Sequence, residues 1–288
     1  MPEIYPFLKL SWRSRKIKDE WEPMRTRIYG ATSFAEYTSV KRGLRSCDVY
    51  QLDPDRFDMQ IKRVVLDGLH FLPILRSKTY QGFGHRHYVT NEITADTFIY
   101  GVVSNTLDGA IEFHDAGVVN VSDRLKDWSP EEMNPGGIDH DVTGKLLGYP
   151  KNARDLFRDV WLKDGCLDPE YEVALNTKGV DVKDNIATIS GYPQLNRLIR
   201  YWGFQLIPYF PHSFDCEESK KFSDWWFELM LEYDAEATQK CLEILRMPMM
   251  WSVWNGIIYV EHPLFTGAAN GYFPARRKTV KWVSDSTW

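Results

Sequence analysis

The strongest chemical signal in the sequence is a histidine, an aspartate and a cysteine within five residues, His212, Asp215 and Cys216. Asp215 lies three residues before Glu218, which matches a capping box and predicts a helix that begins there. A cysteine in the first turn of a helix has its thiolate favoured by the helix dipole, and a nearby imidazole can remove its proton. We therefore take Cys216, His212 and Asp215 as candidate catalytic residues.

Three functions are open for this group. Cys216 could be a nucleophile, Cys216 and His212 could be a remnant pair of metal ligands, or the backbone amides at the helix start could bind a phosphate or carboxylate. The structural alternative is an ordinary helix cap in which Cys216 is buried and inert.

The segment before this group has to position it. Leu195, Leu198, Ile199 and Trp202 recur at helical spacing, and a following glycine is suited to end a helix. Residues 204–207 are short and apolar and precede a proline, which predicts a strand. The segment is therefore expected to run as helix, strand, polar loop and new helix.

Four further polar residues are candidates to bind a substrate. Asn196 and Arg197 lie in the predicted helix, and Asp139 and His140 precede another short helix that ends near residue 148. The aspartate and histidine could bind a metal or a polar substrate. The alternative is a capping aspartate beside a hydrogen-bonded histidine. We predict that Asn196, His212 and Cys216 line one pocket with the turn at residues 139–141.

Three weaker motifs carry charge or imidazole groups. His85 and His87 have a spacing that would let an extended segment bind a metal. The run from Trp12 to Lys18 is basic and suits a phosphate contact, although acidic residues follow and a solvated face is the alternative. The basic residues 276–278, followed by Trp282, could contact a nucleic acid or a partner, or could be a solvated terminus.

Composition limits the class of protein. The chain has 288 residues, 43% hydrophobic and 26% charged, which is an ordinary globular balance. The formal net charge of −5 argues against a protein that is basic all over. The eleven tryptophans and fifteen tyrosines exceed what a core requires, so some are expected to line a surface or cleft.

The same sequence predicts a cytoplasmic protein. The longest apolar runs are too short for a membrane span, and the basic N-terminal region lacks the apolar core of a secretory signal. Its four cysteines are widely spaced, which favours free thiols in a reducing compartment. We expect no membrane partner.

The periodicities predict a mixed α+β fold with a predominantly helical C-terminal half. Loop-like residues 122–140 suggest a boundary near residue 138, between a mixed N-terminal region, 1–138, and a helical core with C-terminal strands, 139–288, although one continuous domain is the alternative. The elements predicted with the clearest patterns are strands and an Asp67-Gly68 hairpin in 61–76, helices at 94–104, 108–115, 215–233 and 235–246, and a strand at 249–260 with a bend at Asn255-Gly256.

Several short motifs after residue 139 resemble an uncharacterised family of bacterial and archaeal proteins, known only as a domain of unknown function. The family carries Tyr-Pro-x-Cys-Cys-x-x-Phe and Pro-Cys-Ser-x-x-Cys motifs. The matching residues over about 139–270 are Leu146-Leu147-Gly148-Tyr149-Pro150, Leu195-Asn196, Pro208 to Cys216, Trp251-Ser252 and Gly256-Ile257.

The cysteines of that family are mostly replaced in this chain. Asn152 and Ala153 stand at the paired cysteines of the first motif, and His212 stands at the first cysteine of the second, so that Cys216 alone remains. If relatives hold zinc or an iron–sulfur cluster with these thiols, the resemblance implies that the site is incomplete in this protein. The resemblance supplies no activity.

Two hypotheses of function follow. One is an enzyme that acts on a small polar or nucleotide-like substrate at a pocket around the Cys216 and His212 pair. The other is a non-catalytic binding or assembly protein, for example a viral one, that has lost the metal-binding thiols of the family and binds a protein partner.

Overall fold

A computed structural model describes residues 8–51, 57–80, 87–89, 97–117, 139–163, 168–270 and 276–283. Its internal contacts divide the chain into two compact units, one formed by residues 1–35 and 159–288 and the other by residues 36–158. The division falls within helices α1 (Arg15–Lys41) and α5 (Lys151–Lys163). Each unit combines helices with a sheet, which confirms the predicted α+β class.

The larger unit is built on a mixed sheet of seven strands. Their order across the sheet is β1-β10-β9-β8-β11-β7-β6, and β11 and β7 run parallel whereas the other pairs are antiparallel. The strands are β1 (Leu8–Trp12), β6 (Asp181–Lys183), β7 (Ile186–Ile189), β8 (Met249–Trp254), β9 (Ile257–Glu261), β10 (Phe265–Asn270) and β11 (Lys278–Trp282).

One face of this sheet carries the core of the unit. Trp251, Val260, Phe265 and Val280 share this face and are at most 1% exposed, as expected for the covered face of a sheet. Gly267 lies on the same face, where an added Cβ would come within 2.4 Å of the buried Trp202 ring. The glycine therefore permits the close approach of the indole.

Two helices of the larger unit are α6 (Glu170–Leu175) and α7 (Glu217–Arg246). The backbone of α7 is non-helical at Asp234, with φ −153° and ψ 90°, and Asp234 Oδ1 accepts a hydrogen bond from Ala237 N at 3.0 Å. The aspartate thus caps the second part of α7. This confirms the predicted pair of helices, 215–233 and 235–246, and α7 supports the predicted helical character of the C-terminal half, which it shares with β6–β11.

The predicted helix at 195–202 is wrong. The chain forms two short 3-10 turns, Pro193–Leu195 and Arg200–Trp202, and Gly203 follows at φ 86°. Asn196 Oδ1 accepts a hydrogen bond from Leu198 N at 3.0 Å, which offers the backbone an alternative to the helical pattern. The predicted strand at 204–207 is wrong as well, because Phe204, Leu206 and Ile207 are buried but the segment forms no strand.

The smaller unit has an antiparallel sheet of four strands in the order β2-β5-β3-β4. Its core includes Cys47, Val102, Ala110 and Phe113. The elements are β2 (Cys47–Gln51), α2 (Phe57–Leu66), β3 (His70–Tyr80), β4 (His87–Val89), β5 (Thr97–Ser104), α3 (Leu107–Gly117) and α4 (His140–Leu146). The predicted helix at 108–115 is confirmed by α3.

Two predictions in this unit are wrong. Asp67-Gly68 does not form a hairpin, because Gly68, at φ 72°, ends α2, and Leu69 N donates to Val64 O at 3.0 Å. The predicted helix at 94–104 is wrong over its described residues, 97–104, which form strand β5 between β2 and β3. Val102 and Val103 project from opposite faces of β5 and both are buried, in two different core clusters. The apolar residues of the strand therefore do not alternate with polar ones, and their spacing resembles that of a helix.

Two predictions about organisation remain: the domain boundary near residue 138 and the absence of a membrane span. The boundary proposed at residue 138 falls at the end of 118–138, which lies outside the described residues, and it stays a prediction. Within the part of the chain that the structure describes, no helix is long and apolar enough to cross a membrane.

Candidate functional site

The loop that carries His212 is anchored by backbone hydrogen bonds. Phe214 N donates to Thr177 Oγ1 at 3.0 Å, and Asn176 Nδ2 donates to His212 O at 3.3 Å. Phe214 O accepts from Tyr192 N at 2.8 Å. The loop is therefore rigidly connected to the turn after α6, with the His212 side chain half-buried.

Asp215 and Cys216 are the last residues before α7. The Asp215 carboxylate accepts from Ser213 Oγ at 2.6 Å and from Lys178 N at 3.2 Å, so it closes the loop instead of capping the helix. Cys216 is the N-cap residue, with extended backbone at φ −67° and ψ 117°. The expectation that Asp215 is the cap and that Cys216 lies inside the first turn is therefore wrong by one residue.

The Cys216 thiol is mostly shielded. The residue is 7% exposed, and Sγ lies 3.4 Å from Glu218 Oε2. The thiol therefore faces a carboxylate of the first helical turn. These contacts fit the structural alternative of a helix cap, and the catalytic roles of Cys216, His212 and Asp215 stay predictions.

Asn196 is completely buried, and both the nitrogen and the oxygen of its side-chain amide form hydrogen bonds. Nδ2 donates to Leu245 O at 2.9 Å, and Oδ1 accepts from Leu198 N at 3.0 Å. The side chain thus joins the segment after β7 to the end of α7. Substrate binding by Asn196 stays a prediction, and the observed contacts give it a structural role.

Arg197 belongs to a buried group of charged and aromatic side chains. Its guanidinium lies 4.7 Å from the ring centroid of Phe210, and the guanidinium of Arg200 lies 4.6 Å from the same ring. Asp168 Oδ1 accepts from Arg200 Nη2 at 2.7 Å and from Tyr201 Oη at 2.6 Å. Removing one partner of a buried ion pair leaves an uncompensated charge and costs several kcal/mol, so these contacts give Asp168 and Arg200 a structural role.

Asp139 and His140 lie in the smaller unit. Asp139 Oδ1 accepts from Asp141 N and Val142 N, both at 3.0 Å, and caps α4. The His140 ring packs against Phe157 with centroids 5.3 Å apart. Burial lowers the pKa of His140, and the nearby Asp139 opposes that shift. These contacts match the helix-cap alternative, and a common pocket with residues of the larger unit stays a prediction.

A groove of about 510 Å³ lies where β1 meets the start of α1. Its lining residues come from both elements: Leu10, Trp12, Ser14, Arg15, Lys18, Glu22 and Arg25. Ser14 caps α1, since Ile17 N donates to Ser14 Oγ at 3.2 Å. Arg15 and Lys18 belong to the basic run that the sequence presents as a phosphate contact or a solvated face.

The positive charges in the groove are not fully neutralised by its acidic side chains. Glu22 is matched, because its carboxylate accepts from Arg25 Nη1 at 2.8 Å and from Trp12 Nε1 at 2.6 Å. Arg15 is 3.8 Å from Asp19, but both side chains are exposed and such pairs are weak. Arg15 and Lys18 therefore give the groove a positive field. Sequence reasoning left these residues out of the candidate site, although α1 has no acidic residue in its first turn.

A metal site needs several ligand side chains that lie close together. No group of three or more histidine, cysteine, aspartate or glutamate side chains that could hold a metal occurs within the described ranges. His85 and the side chain of His87 lie outside the described residues. Zinc or iron–sulfur binding stays an expectation that rests on the resemblance.

Comparison of the chain with models of protein families, with curated proteins and with solved structures finds no match. The resemblance over residues 139–270 therefore stays an expectation. Function has to be argued from the geometry of this chain itself.

Labelling of the thiols tests the position of Cys216. Cys241 is completely buried inside α7, and burial raises the pKa of its thiol far above the ordinary range. A mild alkylating reagent is therefore expected to label Cys216 before Cys241 in the folded protein, as peptide mass spectrometry over time would show. Equal or reversed rates would contradict the deeper burial of Cys241 relative to Cys216.

Proposed function

We propose that this protein binds a small nucleotide-like anion in the groove between β1 and α1. The observation that carries the proposal is a concave surface lined by Trp12, Arg15 and Lys18 at the start of a helix of 27 residues. An aromatic ring beside cationic side chains suits a ligand with both a base and a phosphate. The volume of about 510 Å³ is in the usual range for small-molecule sites.

The position of the cations supports a role in binding. Lysine and arginine in the first helical turn oppose the helix dipole, at a cost of about 0.3–1 kcal/mol each. Arg15, Lys16 and Lys18 all occupy that turn or its edge. Residues that conflict with local stability often mark functional sites. An anion in the groove would turn the same dipole and the same cations into favourable interactions.

The aromatic side of the groove is held in place. Trp12 packs edge-to-face against Phe265 with ring centroids 5.6 Å apart, and its Nε1 is fixed by Glu22. Arg25 Nε donates to Trp202 O at 2.8 Å, which anchors the far side of the groove. A preformed site loses less entropy on binding, so the arrangement suits a small ligand.

Titration calorimetry with adenosine 5′-monophosphate tests the proposal. The double substitution Arg15→Ala and Lys18→Ala is expected to weaken binding about thirtyfold, because each cation contributes about 1 kcal/mol to an exposed anion contact. Ribose 5-phosphate and adenosine are each expected to bind more weakly than the nucleotide. Raising the salt concentration is expected to weaken binding by screening.

A matched control removes two cations elsewhere in the same unit. Lys178 and Lys221 are both exposed, and their double substitution by alanine changes the net charge equally. This control is expected to bind the nucleotide like the unmodified protein. Equal losses in both double variants would mean that only net charge matters, and equal binding of ribose 5-phosphate and the nucleotide would contradict a role for the base.

The enzymatic hypothesis makes a separate prediction about the same ligand class. Catalysis by Cys216 would require turnover that Cys216→Ser abolishes, whereas binding in the groove does not involve this residue. Cys216→Ser is therefore expected to leave the affinity for adenosine 5′-monophosphate unchanged.

The cytoplasm remains the proposed compartment, supported by the free thiols of Cys47, Cys216 and Cys241.

A further inference from the structure

The outer face of the seven-stranded sheet carries a group of large aromatic and cationic side chains. Strand pairing determines which residues share this face, because Ser252 lies opposite Tyr259 and Met250 lies opposite Lys281. Directly opposed residues of an antiparallel pair project from the same face. We call the following residues the sheet platform: Lys9, Met250, Trp254, Tyr259, Arg277 and Lys281.

The two aromatic side chains and the methionine of the sheet platform are accessible to solvent. Trp254 is 49% exposed, Tyr259 is 46% exposed and Met250 is 37% exposed. Because Trp254 pairs with Ile257, it lies diagonally from Tyr259 on the neighbouring strand, at about 7–8 Å. The two rings therefore form adjacent flat surfaces on one face.

Cations surround these rings. Arg277 Nη2 donates to Ser252 Oγ at 3.3 Å, which places its guanidinium beside the position of Tyr259. Lys281 is exposed on β11, the strand beside β8. Lys9 lies on β1, two strands away from β9, which carries Tyr259. Glu261 is on the same face, but it is paired with Arg13 at 2.9 Å. The platform is thus positive on a chain whose net charge is −5.

We infer that the sheet platform binds single-stranded nucleic acid. Exposed rings can stack on unpaired bases of any sequence, while lysine and arginine follow the phosphates. The face spans β11 to β1, four strand spacings or about 19 Å, which gives room for several nucleotides. A duplex hides its bases from such rings, so the geometry favours a single strand.

Charge argues against a second copy of this chain as the occupant. A symmetric dimer through this face would oppose the same surface on both copies, which would bring the lysine and arginine side chains of the two platforms together. An anionic partner with flat apolar rings complements both the charge and the aromatic surface. A single nucleic acid strand combines these properties.

Fluorescence anisotropy with a labelled twelve-nucleotide thymidine oligomer tests this inference. Tyr259→Ala is expected to weaken binding about tenfold, and Tyr259→Phe is expected to retain it because stacking needs only the ring. Lys281→Ala is expected to weaken binding and to reduce its salt dependence. Tyr29→Ala is the matched control, since Tyr29 is 72% exposed on α1 in the same unit, outside the platform.

The outcomes separate the sheet platform from the groove. The double variant Arg15→Ala and Lys18→Ala is expected to keep the affinity for the oligomer while it loses the mononucleotide. Loss of oligomer binding in this variant, with Tyr259→Ala unaffected, would overturn the inference. So would the absence of oligomer binding by the unmodified chain, a preference for the duplex, or dimerisation that Tyr259→Ala abolishes.

Discussion

Replacing Trp226 with alanine is expected to lower the free energy of unfolding by about 3–5 kcal/mol. The indole is completely buried on α7, and it stacks on Phe222 with ring centroids 5.4 Å apart and meets Trp225 at 5.6 Å. Alanine would leave a cavity that the surrounding rings cannot fill. Chemical denaturation followed by circular dichroism measures the loss.

Two controls separate core from surface in this experiment. Trp254→Ala removes the same side chain from a half-exposed position and is expected to cost less than about 1 kcal/mol. Cys216→Ser is expected to be similarly mild. If Cys216→Ser unfolds the protein and Trp226→Ala does not, Cys216 belongs to the scaffold and Trp226 does not, which reverses their assigned roles.

The features that sequence predicts correctly are those with strong local signals. The bend at Asn255-Gly256 is a hairpin turn between β8 and β9, with φ 47° and 75° at its two residues. Asparagine and glycine tolerate that conformation at low cost, so the dipeptide nearly determines the turn. Asp139 likewise caps α4, because an aspartate beside a helical pattern satisfies the free amides directly.

The spacing of apolar residues fails to predict secondary structure where a segment is completely buried. Leu195, Leu198, Ile199 and Trp202 have helical spacing, but all are completely buried. A segment surrounded by protein has no solvent-facing side, so its apolar spacing reports burial and carries no information on periodicity. The local hydrogen bond from Leu198 N to the Asn196 side chain then favours a non-helical backbone conformation. The apolar pattern of the sequence does not reveal this hydrogen bond.

The groove could be predicted only in part. The basic run beside Trp12 is visible in the sequence, and it suggests an anion contact as well as a solvated face. Its concave shape depends on β1, whose Trp12 pairs with Phe265 about 250 residues later. Long-range pairing of this kind has no local signal, so charge alone could not distinguish a groove from a solvated face.

The contribution of Glu36, in the smaller unit, to stability is expected to fall as the pH rises, because its carboxyl group lies close to a second carboxylate, Asp48. Arg45 Nη2 lies 2.8 Å from Asp48 Oδ1, with both side chains nearly inaccessible. Burial raises the pKa of Glu36 from 4.5 to about 8, and the negative charge of Asp48 adds to this shift, whereas Arg45 opposes it. Burial also raises the pKa of Asp48.

The sign of the effect follows from proton binding. Between pH 4.5 and about 8 the folded protein holds a proton on Glu36 that the unfolded chain has lost. The stability from this group is therefore complete below pH 4.5 and is lost as the pH rises through about 8, by roughly 1 kcal/mol per pH unit. The difference in the free energy of unfolding between the unmodified protein and Glu36→Gln at pH 5, 6.5 and 8 measures this slope.

Glu36→Gln is expected to flatten the pH dependence, because glutamine is neutral at every pH and keeps the shape of the protonated acid. At pH 8 the variant is expected to be more stable than the unmodified protein by about 1–3 kcal/mol, and at pH 5 nearly equal to it. Glu228→Gln, which alters an exposed carboxylate on α7, is the matched control and is expected to leave the slope unchanged. An unchanged slope in Glu36→Gln would show that Glu36 is already ionised in the folded protein, with Arg45 neutralising both carboxylates.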